Sequence, residues 1–150
     1  MSRKRKKIKE INVLDDQSSR IKPTEIEIPI GTSFSFRYWY EKEGKFSIQK
    51  EDEKYFHSLL HRVRELSKLT VKEISHVHSK SIRCHPIAFD QTTEDSFGIP
   101  NEEQLVNIPY QLFEVSANKY GRVHGFFIEN VAYIVWLDPQ HELYSKKKSG

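Results

Sequence analysis

A chain of 150 residues, 37% of them apolar, suits a single domain. It has no run of about 18 apolar residues, which excludes a membrane-spanning helix. One cysteine, Cys84, excludes an internal disulfide and points to a reducing, cytoplasmic setting. The net charge of +3 comes from the N-terminus: removing Arg3, Lys4, Arg5, Lys6, Lys7 and Lys9 from the 24 Lys and Arg leaves 18, against 21 Asp and Glu.

Residues 1–23 are polar and charged and lack an apolar core, so they read as a flexible basic arm and not as a secretory signal. Lys146, Lys147 and Lys148 form a second basic tag in the tail 146–150, leaving 24–145 as the folded domain. With Arg3, Lys4, Arg5, Lys6 and Lys7 they are candidates for non-specific, salt-sensitive contact with nucleic acid, and equally for plain solvated ends. Alternation of charged and apolar residues over 25–30 predicts an edge strand. Phe34, Phe36, Tyr38 and Tyr40 at a spacing of two predict a strand over 31–40 with an aromatic, core-facing row. Glu43-Gly44-Lys45 is a turn.

The period changes over 51–68. Phe56, Leu59, Leu60, Val63 and Leu66 make the apolar stripe of an amphipathic helix, with His57, His61, Arg64 and Lys68 on the opposite ridge. Thr70-x-x-Glu73 is a capping box that starts a second short helix. His76, His78, Cys84 and His85 then supply nitrogen and sulfur ligands, though at spacings unlike common zinc sites. Residues 90–109 are acidic and turn-rich, the composition of a functional or mobile loop, with a short helix at 101–106 capped by Asn101.

The densest stretch is 118–144. A strand over 110–117 turns into a hairpin whose arms run 122–128 and 131–137 around Glu129-Asn130. A two-residue loop sets Ile128 opposite Val131, Arg122 opposite Leu137 and His124 opposite Val135. Arg122, His124, Phe126 and Ile128 then share one face. Pro139 ends the last strand, and a turn there brings His141 and Tyr144 back towards Arg122. The whole predicts an α+β domain: a small antiparallel sheet with a C-terminal three-strand meander, one face covered by two helices.

This order of elements, and the 19 residues from Arg122 to His141, resemble the RelE/YoeB-type ribosome-dependent mRNA interferases of bacterial toxin–antitoxin pairs. The resemblance implies a metal-independent endoribonuclease in which the RNA's own 2′-OH attacks the phosphate. It implies RNA, free or ribosome-bound, and an antitoxin protein as partners, with no membrane and no cofactor. Arg122 takes the place of the arginine that contacts the scissile phosphate, and His141 or Tyr144 that of the general acid. His124 or Glu114 is the candidate base; His124 reads equally well as a satisfied strand histidine, and Arg122 with Asp138 as a simple ion pair. Two other classes fit the residues: a non-catalytic module binding nucleic acid or protein, and a metal-binding protein using His76, His78, Cys84 and His85.

Overall fold

The computed structural model describes residues 29–144. In chain order these form β1 (Ser33–Ser35), α1 (Glu53–Leu66), α2 (Ser79–Ile82), β2 (His85–Pro86), α3 (Glu102–Leu105), β3 (Tyr110–Ser116), β4 (Lys119–Ile128) and β5 (Val131–Asp138). One π-helical turn (Glu73–Val77) precedes α2, and one 3-10 turn (Phe89–Gln91) comes after β2. Arg3, Lys4, Arg5, Lys6, Lys7, Lys146, Lys147 and Lys148 lie outside the described residues, as does most of the strand expected at 25–30. Among the described residues no helix is long and apolar enough to cross a membrane.

The expected α+β class and C-terminal meander are both present. The sheet order is β1-β5-β4-β3-β2. It is mixed and not purely antiparallel, because β1 runs parallel to β5, pairing Ser33 with Val131 and Ser35 with Tyr133. The strand expected over 31–40 stops at Ser35. There the chain turns, Trp39 N–H bonding the Phe36 carbonyl, and Tyr40 N–H then donates to the Val135 carbonyl. The aromatic row is therefore divided between layers. Phe34 packs under α1, Tyr38 and Tyr40 pack on the opposite face, and Phe36 is exposed.

The Asp52 carboxylate caps α1, accepting from the Lys54 and Tyr55 amides, so the helix starts at Glu53. Tyr55, Leu59 and Leu66 are its buried positions; Leu60, expected in the stripe, is 66% exposed. The stripe is rotated because Arg62 takes the next inward position and its Nε donates to the Glu114 carbonyl at 3.0 Å. The Thr70–Glu73 capping box forms in both directions, at 2.9 and 3.1 Å.

Both faces of the sheet are covered, one by helices and the other by loops. Tyr55, Leu66, Ile74, Phe113 and Ile134 belong to the helical side. Phe46, Phe97, Phe126, Val135 and Trp136 make the second layer, with Phe46 stacked on Trp136 at 4.4 Å. The acidic segment 90–109 is thus a packed cover. Glu102 accepts from the Phe97 and Gly98 amides, and Glu94 pairs with Lys42 and Lys45.

The hairpin register holds from Ile128–Val131 to Gly125–Ile134, then slips by one residue. An extra residue in β5 puts Val135 and Trp136 both on the second layer, so His124 faces Trp136 and Arg122 faces Asp138 instead of Val135 and Leu137. A matching irregularity in β3 lies at Leu112. A third, in β4, holds Tyr120 (φ 66°) and Gly121 (φ 69°) in the left-handed region. At Gly121 a Cβ would also collide with the Asp138 carbonyl and lie 2.7 Å from the Pro139 Cα. Gly121→Ala should cost at least about 2 kcal/mol in urea unfolding, since neither the backbone angle nor the space admits a side chain. A variant as stable as the parent would contradict this register.

Candidate active site

The exit from β5 is built on one carboxylate. Asp138 is 1% exposed and accepts three hydrogen bonds: from His124 Nε2 (3.0 Å), the Glu142 amide (2.6 Å) and the Leu143 amide (3.0 Å). These bonds turn the chain back at the end of β5. Leu143 anchors the bend in the core, Thr93 Oγ1 donates to the Glu142 and Leu143 carbonyls, and Glu142 Oε1 accepts from the Phe46 amide. His141 sits at the apex with φ 57°.

His124 is fully buried between Phe46 and Trp136, whose ring centroids lie 6.5 and 6.4 Å away. Its Nδ1 is buried with no hydrogen-bond partner. Burial pushes its pKa down, against the pull of Asp138. Burial also works against an ionised Asp138, but the His124 ring and the two amides outweigh it and hold that carboxyl below its usual value. The arrangement that meets all of these conditions is a neutral imidazole, protonated on Nε2, donating to an ionised carboxylate. Its bare Nδ1 then leaves no buried N–H unpaired.

A second buried carboxylate gathers cations. Glu114 Oε2 accepts from Arg122 at 2.8 Å and from the Asn118 amide at 3.2 Å, while Oε1 lies 3.8 Å from Arg83 Nε. Glu114 is 5% exposed and Arg122 is half-buried, so this contact is sheltered from solvent.

Between these two centres lies a cavity of about 650 Å³ lined by Arg83, His85, Gln111, Arg122, Asp138, Gln140, His141 and Tyr144. Its size suits a nucleotide-scale ligand. Of the residues singled out from sequence, Arg122, His141 and Tyr144 meet here. His124 and Glu114 do not reach the cavity: one holds Asp138 from behind and the other holds Arg122, so neither is placed to act as base. The alternative pairing of Arg122 with Asp138 is not made either, because each has another partner. Burial raises the Tyr144 pKa and keeps its hydroxyl protonated.

His85 and Arg83 enter the site without having been assigned to it from sequence. His85 Nδ1 lies 2.9 Å from the Pro86 carbonyl. A carbonyl only accepts, so Nδ1 carries the proton and Nε2 of the neutral ring is an open lone pair. The pairing of β2 with β3, His85 against Gln111, delivers this ring to the cavity. A two-residue strand ending in proline leaves no periodic signal; the only hint was a histidine next to a chain break.

The residues proposed as metal ligands are dispersed. His76 and His78 are exposed around the π turn, Cys84 is buried with its thiol pushed up to about 12 by burial, and His85 faces the cavity. Among the described residues no three His, Cys, Asp or Glu side chains form a group able to hold a metal ion. No family model matches the chain, and neither does a curated protein or a solved structure.

The buried pair can be tested in two ways. Asp138→Asn keeps the shape but turns an NH2 towards a donor, and should cost about 3 kcal/mol in urea unfolding. Below about pH 6.5 the unfolded chain takes up a His124 proton that the folded ring refuses, and below about pH 4 the same holds for Asp138. Both depressed values make stability fall as pH falls, by up to about 1.4 kcal/mol per unit per proton. Unfolding midpoints at pH 7.5 and 5.5 should therefore differ, and differ less in His124→Gln. Equal midpoints in the parent would remove the neutral-imidazole assignment.

Proposed function

We propose that the chain is a metal-independent endoribonuclease that cleaves RNA through attack of the 2′-OH on the adjacent phosphate. The observation that carries this reading is the meeting of Arg83, His85, Arg122, His141 and Tyr144 on one cavity. The reaction needs a base, an acid and fixed positive charge at the phosphorane, and those side chains have the chemistry for all three.

In this mechanism Nε2 of His85 takes the proton of the 2′-OH as the 2′-oxygen bonds to phosphorus. The P–O5′ bond breaks, and His141 in its protonated form gives a proton to the departing O5′. The products are a 2′,3′-cyclic phosphate and a 5′-hydroxyl; His85 is left protonated and His141 neutral, and proton exchange with solvent restores both for the next turnover. Arg122 holds the non-bridging oxygens. Its bond to Glu114 uses one of five N–H donors, so the rest of the guanidinium is available for the phosphate. Arg83 adds a second positive charge. Tyr144 offers a ring for base stacking or a hydroxyl near the leaving group. Asp138 and His124 are positioning residues, acting through the turn that carries His141.

The RelE/YoeB-type resemblance supports the same reading, since Arg122 lies on the middle strand of the meander and His141 just past the last strand. The ribosome-bound mRNA and the antitoxin partner implied by that resemblance, and the cytoplasmic setting read from the single cysteine, belong to this proposal.

The test is RNA cleavage, with and without ribosomes and EDTA. Arg122→Ala and His141→Ala should each lose about 100-fold or more in rate while remaining folded, and His85→Ala should lose a similar factor. Activity should survive EDTA. Binding without cleavage under every condition would replace this reading with that of a non-catalytic nucleic-acid module.

A further inference from the structure

Two polar side chains in the cavity, Gln111 and Gln140, have no task in that reaction. Gln111 is only 4% exposed, yet it lines the cavity from β3. Its Nε2 donates to the Arg83 carbonyl at 2.8 Å. Because a carbonyl can only accept, this bond settles which end of the amide is nitrogen. The carboxamide oxygen, Oε1, is left over. Among the described residues no donor reaches it, and it is not one of the buried atoms sealed off without a partner. It is an acceptor opening onto the cavity.

A carboxamide oxygen there is out of character with the two guanidiniums beside it. Arg83 and Arg122 present donors suited to phosphate, whereas a carboxamide oxygen repels phosphate and calls for an N–H or O–H. Gln140 repeats the pattern at the rim: its Nε2 donates to Glu51 at 3.2 Å, so its oxygen too is the free end. Nearby, Tyr144 supplies an aromatic face, with the His85 ring 6.2 Å from it. A ring beside a fixed, largely buried acceptor is how a protein seats and reads a base rather than a backbone.

We infer that Gln111 is a specificity-determining residue, accepting a hydrogen bond from the exocyclic amine of a nucleobase seated in the cavity. This rests on the proposed RNA-directed function and names the nucleotides it favours. Adenine, cytosine and guanine present a projecting amine, and uracil does not. The single N–H of uracil is recessed between two carbonyl oxygens, both of which Oε1 would repel. With uracil in place the Gln111 oxygen loses its water and gains no partner, the situation that gives polar sites their discrimination.

The experiment is a calorimetric titration of the full chain with 5′-CMP and 5′-UMP, repeated with Gln111→Met, which keeps the length and removes the acceptor. CMP should bind about tenfold more tightly than UMP to the parent, and the ratio should fall below about twofold in Gln111→Met with UMP affinity little changed. A second comparison needs no variant: AMP should bind about tenfold more tightly than purine riboside 5′-monophosphate, which lacks only the amine. Equal affinities within both pairs, or a preference for CMP that persists in Gln111→Met, would overturn the inference. If that happens while RNA is still cleaved, Gln111 loses its role and the nuclease reading stands. If no nucleotide binds and no RNA is cleaved, both fall together.

Discussion

The Asp138 carboxylate is the constraint on which the site depends. It ends β5, so its backbone is fixed by the sheet, and its side chain fixes the path of the turn beyond it. Three donors converge on it in a place closed to water. Pro139 has no N–H to extend the strand, so the chain must leave the sheet there. Asp138 sets where it goes, because the Glu142 and Leu143 amides bond its carboxylate only when residues 139–142 turn back towards it. His141 reaches the cavity as a consequence of that backbone bonding, not through any contact of its own ring. His124 completes the arrangement from behind, and its aromatic surroundings favour the neutral ring over the imidazolium.

Glu114 does the corresponding work for the cations. Two guanidiniums brought to one cavity repel each other, and a buried carboxylate between them lowers that cost while fixing the direction from which Arg122 approaches. Arg62 reaches the same residue through its carbonyl, and burial together with Glu114 sets its pKa, which is held down overall. Overall charge is a poor guide here. The chain without its basic N-terminus has more acid than base, yet much of the acid is taken up locally: Glu94 by Lys42 and Lys45, and Glu102 by backbone amides. Local placement matters more: the Arg83 and Arg122 guanidiniums both line the cavity, and both lie against Glu114.

Much of this was legible in the sequence, and the failures have physical causes. The meander, the hairpin loop at Glu129-Asn130, the capping box at Thr70 and the convergence of Arg122 with His141 and Tyr144 all derive from short-range signals: strand period, turn residues and a proline stop. The slip in β5 was not legible. Val135, Trp136 and Leu137 are all apolar, so alternation could not reveal that two consecutive residues face one layer. That slip moved Arg122 from Leu137 to Asp138 and brought Trp136 onto the layer where His124 is fully enclosed. The cover over the second layer was missed for a related reason. Phe97 and Ile99 are buried inside an acidic, turn-rich segment, and composition averages them away. His85 was visible as a residue but not as a neighbour, since its place in the site depends on a two-residue pairing with β3.

Among the described residues seven non-glycine residues lie in the left-handed region, and two of them, Arg83 (φ 67°) and His141 (φ 57°), line the cavity. Such a residue costs roughly 1–2 kcal/mol and persists only where its surroundings leave no alternative. At Arg83 the constraint is the end of α2, where the Arg83 and Cys84 amides both donate to the Ser79 carbonyl. At His141 it is the Asp138 turn. Neither residue is buried, so packing of its own side chain cannot be what the fold gains. What these angles achieve is to bring a guanidinium and an imidazole from separate parts of the chain to the same space. Both angles are held by local hydrogen bonds, and the two residues they place, neither of them buried, line one cavity.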